Sequence, residues 1–239
     1  MNGTTAVVTG GTRGIGRAVA ETFVDEGATV VVGARDGDGV AETVDALEDR
    51  LESSESTDAA AAGLRTDVRD EFDLERLVET ASRTGPSGGI DVVVPAAGVY
   101  HGTPGSTPTD GESYSAFDDH WRINARGVFG TVLEALPHLN DGARVLVPTG
   151  AVAREAKSGY GSYAISKATA EAVARGFAAD TDYTVGCLDL GQVATALSGG
   201  QGRDPESITG MFVWAATDAD PDVIDGTVVD LRTWKQSTR

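Results

Sequence analysis

Short apolar runs alternate with stretches of helical period along the whole chain. Several runs consist almost wholly of Val, Ile and Leu, which is typical of strands buried on both faces of a parallel sheet. The runs lie at residues 6–9, 29–33, 64–66, 90–95, 143–148, 184–189 and 227–231. The helical stretches lie at residues 14–26, 39–53, 71–83, 116–136, 162–179 and 206–216. This alternation predicts a doubly wound α/β fold with helices on both faces of a seven-stranded parallel sheet.

Three segments interrupt the alternation. Residues 53–63 are low in complexity and predict a mobile surface extension. Residues 100–114 and 192–205 follow the fourth and sixth strands. Ligands of open α/β sheets bind beyond the carboxyl ends of the strands, so these two loops are expected to enclose a substrate. Neither of these two loops is typical of a linker, and we expect a single domain over residues 1–239.

Composition excludes several classes of function. The 239 residues carry 37 acidic and 19 basic side chains, a formal charge of −18 that disfavours nucleic acid and anionic membranes as partners. The single cysteine, Cys187, excludes a disulfide framework and a cysteine-based zinc site, and the three histidines lack metal-ligand spacing. No apolar run approaches the ~20 residues that cross a bilayer, and the first residues lack a signal-peptide pattern. We therefore expect a soluble, cytoplasmic protein without a metal site.

The acidic surface is also poor in lysine. Only three of the basic residues are Lys, and small side chains such as Ala, Gly and Asp are abundant. This composition resembles that of proteins from halophiles that accumulate salt, where concentrated salt screens the repulsion between carboxylates. The alternative is an ordinary acidic enzyme.

The first apolar run leads into a helix through a glycine-rich turn, AVVTGGTRGIG, at residues 6–16. Gly10, Gly14 and Gly16 lack a Cβ, so backbone N–H groups at the helix N-terminus can approach a diphosphate that the helix dipole favours. The alternative is a glycine-rich turn that binds nothing.

The end of the second strand bears on the choice of cofactor. A site for NAD places a carboxylate here against the ribose 2′-hydroxyl, whereas a site for NADP places a cation against the 2′-phosphate. Ala34 removes the carboxylate and Arg35 supplies the cation, with Arg13 of the glycine turn near enough to help. This favours NADP. A shift of one residue would put Asp36 in the decisive position and reverse the prediction, and Arg35 could also be a solvated loop arginine.

Tyr163 and Lys167 lie four residues apart in a helical stretch and therefore share a helix face. A tyrosine hydroxyl, with an ordinary pKa near 10, can exchange protons near neutral pH if an ammonium stabilises the phenolate. The alternative is an aromatic ring packed against a lysine stem.

These features together resemble one family. Thr9-Gly10, Gly14-Ile15-Gly16, Asp67-Val68, Asn124 and Tyr163-Ala-Ile-Ser-Lys167 occur in the order and spacing of the classical short-chain dehydrogenases/reductases, over nearly the whole chain. The resemblance implies one Rossmann-type three-layer domain and NAD(P)-linked hydride transfer to a carbonyl compound or from an alcohol. It also implies a homodimer or homotetramer built on the fourth and fifth helices.

The resemblance also implies roles for individual residues. Tyr163 would protonate the carbonyl oxygen, Lys167 would hold the nicotinamide ribose and lower the pKa of the tyrosine, and Asn124 would anchor a water relay to that lysine. Asp67 and Val68 would hold the adenine, although Asp67 could instead cap the next helix. The implied cofactor-binding residues are Thr9, Gly10, Thr12, Arg13, Gly14, Ile15, Gly16, Arg35, Asp67, Val68, Ala97, Gly98, Tyr163, Lys167, Gly191 and Thr195.

The sequence departs from the family at the catalytic serine. The serine's position, thirteen residues before Tyr163, is occupied by Gly150, which has no side-chain donor. Residues 95–98 read PAAG and residues 190–191 read LG, and both also differ from the family pattern. Thr149 is the nearest hydroxyl and joins the candidate catalytic set of Tyr163, Lys167 and Asn124, although neighbours in an extended segment point to opposite faces.

Two hypotheses follow from the missing serine. The first is an NADP-dependent reductase in which Thr149, Ser158, Tyr160 or the substrate itself replaces the serine. The second is a catalytically weak relative that binds a nucleotide as a sensor or oligomer partner. An intact Tyr163, Lys167 and Asn124 favour the enzyme, because a pure nucleotide binder has no physical need for all three.

Overall fold

Seven parallel strands form one sheet in the computed structural model, which describes residues 1–52, 58–86 and 88–239. The strand order is β3-β2-β1-β4-β5-β6-β7. The strands are β1 Thr5–Thr9, β2 Thr29–Ala34, β3 Ala61–Arg65, β4 Ile90–Pro95, β5 Leu139–Thr149, β6 Thr184–Asp189 and β7 Val228–Asp230. The predicted seven-stranded parallel sheet is confirmed. The order reverses between β1 and β4, and such a switch point is where open α/β sheets bind ligands.

The helices cover both faces of the sheet. They are α1 Gly14–Asp25, α2 Gly37–Glu52, α3 Glu71–Thr84, α4 Tyr114–His120, α5 Arg126–Ala135, α6 Gly161–Asp180, α7 Thr209–Thr217, α8 Pro221–Ile224 and α9 Leu231–Ser237. No helix in the described ranges is long and apolar enough to cross a membrane.

The core divides into two apolar layers, because successive strand residues point to opposite faces. Val8 of β1 packs with α1, α2 and α7 in one layer, whose helical residues include Phe23, Leu47 and Phe212. Val7 packs in the other layer with residues of α3, α5 and α6. Each layer buries the apolar faces of the helices that pack against it, which is the three-layer arrangement predicted from the alternation.

Two of the differences between the structure and the predicted elements concern β3 and the helix that precedes β5. β3 begins at Ala61 rather than at residue 64, because the small residues from Ala61 to Gly63 pair with Val30 to Val32 of β2 despite their weak strand propensity. Of the expected extension at residues 53–63, residues 53–57 lie outside the described residues. The helix predicted at 116–136 is interrupted by a π-helical segment, Trp121–Ala125.

Candidate active site

A glycine turn connects β1 to α1 at the switch point. Gly10 has a φ of +70°, and a Cβ there would lie 2.7 Å from the Cα of Ala97. A Cβ on Gly16 would collide with the carbonyl of Gly10. Thr9 lies just before the turn, and its hydroxyl accepts a 3.3 Å hydrogen bond from the Ala97 amide. Glycine is therefore required both for the backbone conformation and for close packing against the segment after β4.

The first turn of α1 presents free backbone N–H groups to a cleft of about 460 Å³. Arg13 occupies the N-cap position without a side-chain capping bond, so no side chain satisfies these amides from that position. The residues of the predicted cofactor set that line the cleft are Gly10, Thr12, Arg13, Gly14, Ile15, Gly16, Arg35, Val68, Ala97, Gly98 and Thr195. Uncapped amides at a helix N-terminus fit the diphosphate of a dinucleotide.

Charges of both signs line the end of the cleft beyond β2. Arg13 and Arg35 are exposed and form no ion pair within the described part of the chain. Asp36 and Glu42 line the same end. Both the cation expected for NADP and the carboxylate that would reverse that prediction are therefore present.

Asp67 does not line the cleft, whereas the adjacent Val68 does. The Asp67 carboxylate accepts hydrogen bonds from the Arg69 guanidinium, the shortest at 2.6 Å, and these bonds lower the pKa of Asp67. The alternative role as a helix cap is wrong, because Asp70 caps α3 by accepting from the amides of Phe72 and Asp73.

Tyr163 and Lys167 lie one turn apart on α6 and line a second cavity of about 220 Å³. Ala97, Gly98 and Thr195 line both this cavity and the glycine-lined cleft, so the two spaces adjoin. Both loops expected to enclose a substrate contribute to the walls, through residues such as Tyr100 and Gln192.

The pKa shift of Tyr163 beside Lys167 differs from the expectation. Burial raises the pKa of Tyr163 to about 12, with smaller contributions from Tyr100 and Tyr160. Burial lowers the pKa of Lys167, whose ammonium donates a 2.7 Å hydrogen bond to the carbonyl of Pro148. The expected lowering of the tyrosine pKa by the lysine is therefore absent from this arrangement, because desolvation of the phenolate dominates.

Asn124 lies in the π-helical segment, and its side chain is buried. Its amide oxygen accepts from the Val99 amide at 2.8 Å, and its amide nitrogen donates to the Val99 carbonyl at 2.9 Å and to Ser166 Oγ at 3.0 Å. These bonds join the segment after β4 to α6. Asn124 lines the cavity of Lys167, but it makes no direct hydrogen bond to that lysine in the described structure.

Gly150 and Gly191 face each other across the turns that follow β5 and β6, and both line the cavity. Gly191 has a φ of +65°, which favours glycine at that turn. Gly150 has an extended backbone with a φ of −157°, and a Cβ there would lie 3.9 Å from the carbonyl oxygen of Gly191. The site therefore has room for a side chain at position 150 but no hydroxyl there.

The Thr149 hydroxyl is not available as the substitute donor. It donates its only proton to Glu171 Oε1 at 2.7 Å. Glu171 and Asp189 also bind the Arg154 guanidinium in this cluster. The expectation that Thr149 replaces the missing serine is wrong: although Thr149 lines the cavity, its hydroxyl proton is already donated to Glu171.

Three tyrosines, Tyr100, Tyr160 and Tyr163, line the cavity. Tyr100 lies against Tyr163, with ring centroids 4.7 Å apart, and stacks on Tyr160 at 6.4 Å. The Tyr100 hydroxyl donates to the Gly159 carbonyl at 3.1 Å, whereas the Tyr160 hydroxyl has no hydrogen-bond partner among the described residues. Sequence reasoning raised Tyr160 as one alternative but missed Tyr100 and Lys157, which also line the cavity. An aromatic residue in the loop that follows the fourth strand and a lysine in a lysine-poor chain were the available signals.

A buried histidine holds the first turn of α6. The His101 amide donates to His120 Nε2 at 2.9 Å, which leaves the ring proton on Nδ1 for a 2.7 Å bond to Ser162 Oγ. The Ser162 hydroxyl in turn donates to Glu112 Oε1 at 2.9 Å. Burial lowers the pKa of His120 and favours its neutral form. This network fixes the turn that carries Tyr163, and the sequence did not indicate it.

A glycine turn that presents helix amides to a cleft, beside a tyrosine and a lysine on one helix face, defines a dinucleotide-dependent oxidoreductase. Comparisons with known proteins agree. Residues 10–216 match the model of a family described as enoyl-(acyl carrier protein) reductase. The chain is 31% identical to the NADPH-dependent aldehyde reductase 2, chloroplastic, of Arabidopsis thaliana over 209 residues, which cover 82% of this chain and 75% of that protein.

Solved structures give the same result. A dehydrogenase/reductase from Sinorhizobium meliloti is 27% identical with a TM-score of 0.80, over 96% of this chain and 94% of that one. An alcohol dehydrogenase from Thermococcus sibiricus, complexed with 5-hydroxy-NADP, is 25% identical with a TM-score of 0.82, over 95% of each chain. The chain belongs to the short-chain dehydrogenase/reductase family and is an NAD(P)-dependent oxidoreductase.

Proposed function

We propose that this oxidoreductase reduces a small carbonyl compound with NADPH as the hydride donor. The observation that carries the proposal is the position of Tyr163 and Lys167, which line a cavity of about 220 Å³ adjoining the glycine-lined cleft. A carbonyl group in that cavity would lie between the tyrosine and the end of the cleft bordered by Thr195 and Gly98.

The residues of the chain supply the proton. NADPH held in the cleft by the glycine turn would supply a hydride to the carbonyl carbon. Because the pKa of Tyr163 is raised to about 12, its hydroxyl stays protonated through the neutral range and can donate a proton to the carbonyl oxygen. Lys167 is held by the Pro148 carbonyl at the end of β5, from where its ammonium would contact the nicotinamide ribose. The products would be an alcohol, NADP⁺ and a tyrosinate that takes up a proton again from solvent.

The second donor to the carbonyl oxygen is Tyr160 in this proposal. Gly150 has no side chain, Thr149 donates to Glu171, and Tyr100 donates to Gly159. Tyr160 lines the same cavity, and its hydroxyl has no partner in the described part of the chain. A free donor beside Tyr163 would stabilise the negative charge that develops on the oxygen.

NADP(H) is the preferred cofactor in this proposal. Arg35 and Arg13 line the cleft beyond β2 without an ion-pair partner among the described residues, and Ala34 offers no carboxylate. The names of the aldehyde reductase and the alcohol dehydrogenase above also refer to NADPH and to an NADP derivative. Asp36 and Glu42 oppose the preference, and the arginines must outweigh them.

We also propose a homodimer or homotetramer. Large apolar side chains are exposed on the segment from α4 to α5 and on α6, namely Phe117, Trp121, Phe129, Leu133 and Ile165. Exposed apolar side chains on neighbouring helices are typical of a surface that packs against another chain. Light scattering at the working salt concentration measures the mass and would contradict the proposal if it gave a monomer.

The test of the proposed function is NADPH oxidation with a panel of ketones, aldehydes and acyl thioesters in about 2 M KCl, the salt that the acidic surface favours. Tyr163→Phe should lower turnover at least ~100-fold and leave NADPH binding unchanged. Tyr114→Phe, at an exposed tyrosine outside the cavity, is the matched control and should keep full activity. NADPH binding without turnover of any compound would contradict the proposal and favour a nucleotide-binding role.

A further inference from the structure

The wall of the catalytic cavity differs in charge from the rest of the protein. The chain has 37 acidic residues and a formal charge of −18, but no Asp or Glu lines this cavity within the described residues. Two of the three lysines, Lys157 and Lys167, line it. In a protein this acidic, a carboxylate-free cavity with two ammonium groups indicates a ligand of negative charge.

The two lysines differ in their availability. The Lys167 ammonium donates to the Pro148 carbonyl, and its residue lies one helical turn after Tyr163 on α6. Lys157 is exposed in the loop between β5 and α6, and it has neither a hydrogen bond nor an ion pair in the ranges that the structure describes. Lys157 is therefore the cation that a ligand can reach without displacing a protein partner.

An aromatic contact positions the Lys157 ammonium. Its Nζ lies 5.5 Å from the centroid of the Tyr160 ring, within the range of a cation–π interaction. The face of that ring therefore holds the charge at the cavity wall near Tyr163, where an exposed lysine would otherwise sample many rotamers. A fixed charge loses less conformational entropy when it binds an anion.

The remaining walls limit the size of the ligand. Pro104, Val152, Leu190, Val193 and Leu197 supply apolar surface. The volume of about 220 Å³ must also accept the reactive end of the cofactor, because Thr195 and Gly98 border both spaces. The space that remains suits a short apolar body between a carbonyl group and a charged group.

We propose that the substrate is a short oxo acid, whose carboxylate pairs with Lys157 while its carbonyl oxygen faces Tyr163. This assignment rests on the proposed reduction of a carbonyl compound and names the class of compound. Lys157 is then a specificity-determining residue that contacts the substrate and takes no part in the proton or hydride transfer.

The test compares acids with their neutral esters. The probes are 2-oxopentanoate and 4-oxopentanoate, which differ in the spacing of carbonyl and carboxylate, and the methyl ester of each. Steady-state kinetics with NADPH gives kcat and KM separately, and calorimetric titration with NADP⁺ present gives affinity without turnover. All measurements share one KCl concentration, because salt screens the contact.

The variants are Lys157→Gln, which removes the charge, and Lys157→Arg, which keeps it. Lys235→Gln, on α9 and outside the cavity, removes the same charge elsewhere and is the matched control. Exposed substitutions of this kind change stability by about 0.5 kcal/mol or less, so all variants should fold.

At least one acid should have a kcat/KM about tenfold above that of its ester. Lys157→Gln should remove that difference through KM with kcat unchanged, whereas Lys157→Arg should retain most of it. Equal affinity and equal kcat/KM for acids and esters would overturn the oxo-acid proposal while leaving carbonyl reduction intact. If no compound is reduced, the proposed function fails, and the calorimetric difference between acid and ester then decides the role of Lys157 alone.

Discussion

Thr149 donates a 2.7 Å hydrogen bond to Glu171, which lies two turns beyond Tyr163 on α6. Arg154 binds Glu171 and also Asp189 at the end of β6. The second oxygen of Asp189 accepts from the Gly191 amide at 3.0 Å. This cluster therefore connects β5, α6 and the turn after β6, and it braces the two glycines that face the cavity.

Thr149→Val should lower the stability of the protein and leave catalysis almost unchanged. The substitution removes one donor from a buried carboxylate, which costs about 1–3 kcal/mol, and kcat should stay within about twofold. Denaturant unfolding and NADPH oxidation measure the two effects. Thr169→Val is the control, because that hydroxyl donates only to the backbone of its own helix. A large fall in kcat without loss of stability would contradict this prediction and show that Thr149 takes part in catalysis.

Local patterns predicted the parts of this molecule that depend on local physics. The buried strands, the glycine turn and the spacing of Tyr163 and Lys167 all follow from side-chain periodicity and from the absence of a Cβ. The structure places both residues in one cavity beside the turn.

The features that the sequence did not predict depend on contacts between residues that are distant in the chain. Ala61 and Gly63 form a strand because β2 offers its backbone as a partner. Asp67 turns to Arg69, although its position in the sequence suggested adenine or a helix cap. Asn124 joins the segment after β4 to α6 through its place in the π-helical segment and its hydrogen bond with Val99. Neither feature leaves a pattern in a single sequence.

The affinity for NADP(H) should exceed that for NAD(H) at least tenfold, a difference of about 1.4 kcal/mol. Arg35→Ala should remove most of this difference, because it removes the cation at the cleft end beyond β2. Calorimetric titration with both cofactors measures the difference in affinity. Arg232→Ala on α9 is the control for loss of a positive charge. Equal affinity of the unmodified protein for the two cofactors would show that Asp36 and Glu42 dominate this end of the cleft.

Tyr163 should remain protonated well above neutral pH in the protein without cofactor. Its pKa is raised to about 12, so the neutral hydroxyl form is fully present at lower pH and is lost only as the pH approaches that value. The tyrosinate absorbance of the protein and of Tyr163→Phe should therefore coincide up to about pH 10, where exposed tyrosines titrate equally in both. A tyrosinate near pH 7–8 that disappears in the variant would show that Lys167 outweighs burial.

Stability should rise as KCl increases from dilute to molar concentration. Repulsion across a surface of formal charge −18 is screened as the Debye length shrinks to ~3 Å at 1 M. Thermal unfolding measures the effect, and the same series near pH 4 is the control, because partial protonation of the carboxylates should weaken the salt dependence. A melting temperature that is flat or falls with KCl at neutral pH would contradict the hypothesis, drawn from composition, that the protein is adapted to salt.

Tyr160→Phe should reduce kcat for carbonyl reduction about 100-fold, because it removes the one cavity hydroxyl outside Tyr163 that we assign to the carbonyl oxygen. The substitution keeps the ring that contacts Lys157, so binding of the substrate should change little. Tyr100→Phe is the matched control, because the Tyr100 hydroxyl already donates to the Gly159 carbonyl. Measurements of kcat, KM and NADPH affinity separate the loss of a donor from a change in the shape of the cavity.

Gly150→Ser also tests the assignment of Tyr160 as the second donor, because it adds a hydroxyl to the cavity instead of removing one. A side chain fits at this position, since a Cβ would lie 3.9 Å from its nearest neighbour, the Gly191 carbonyl, and the backbone φ of −157° suits any residue. In the unmodified protein the new hydroxyl should change kcat less than about threefold, because Tyr160 already supplies a donor. The double variant Gly150→Ser/Tyr160→Phe should have a kcat at least about tenfold above that of Tyr160→Phe alone, because a hydroxyl again faces the carbonyl oxygen. If Tyr160→Phe leaves kcat unchanged and Gly150→Ser alone raises it, the natural cavity has no second donor, and Tyr160 has no role in the reaction.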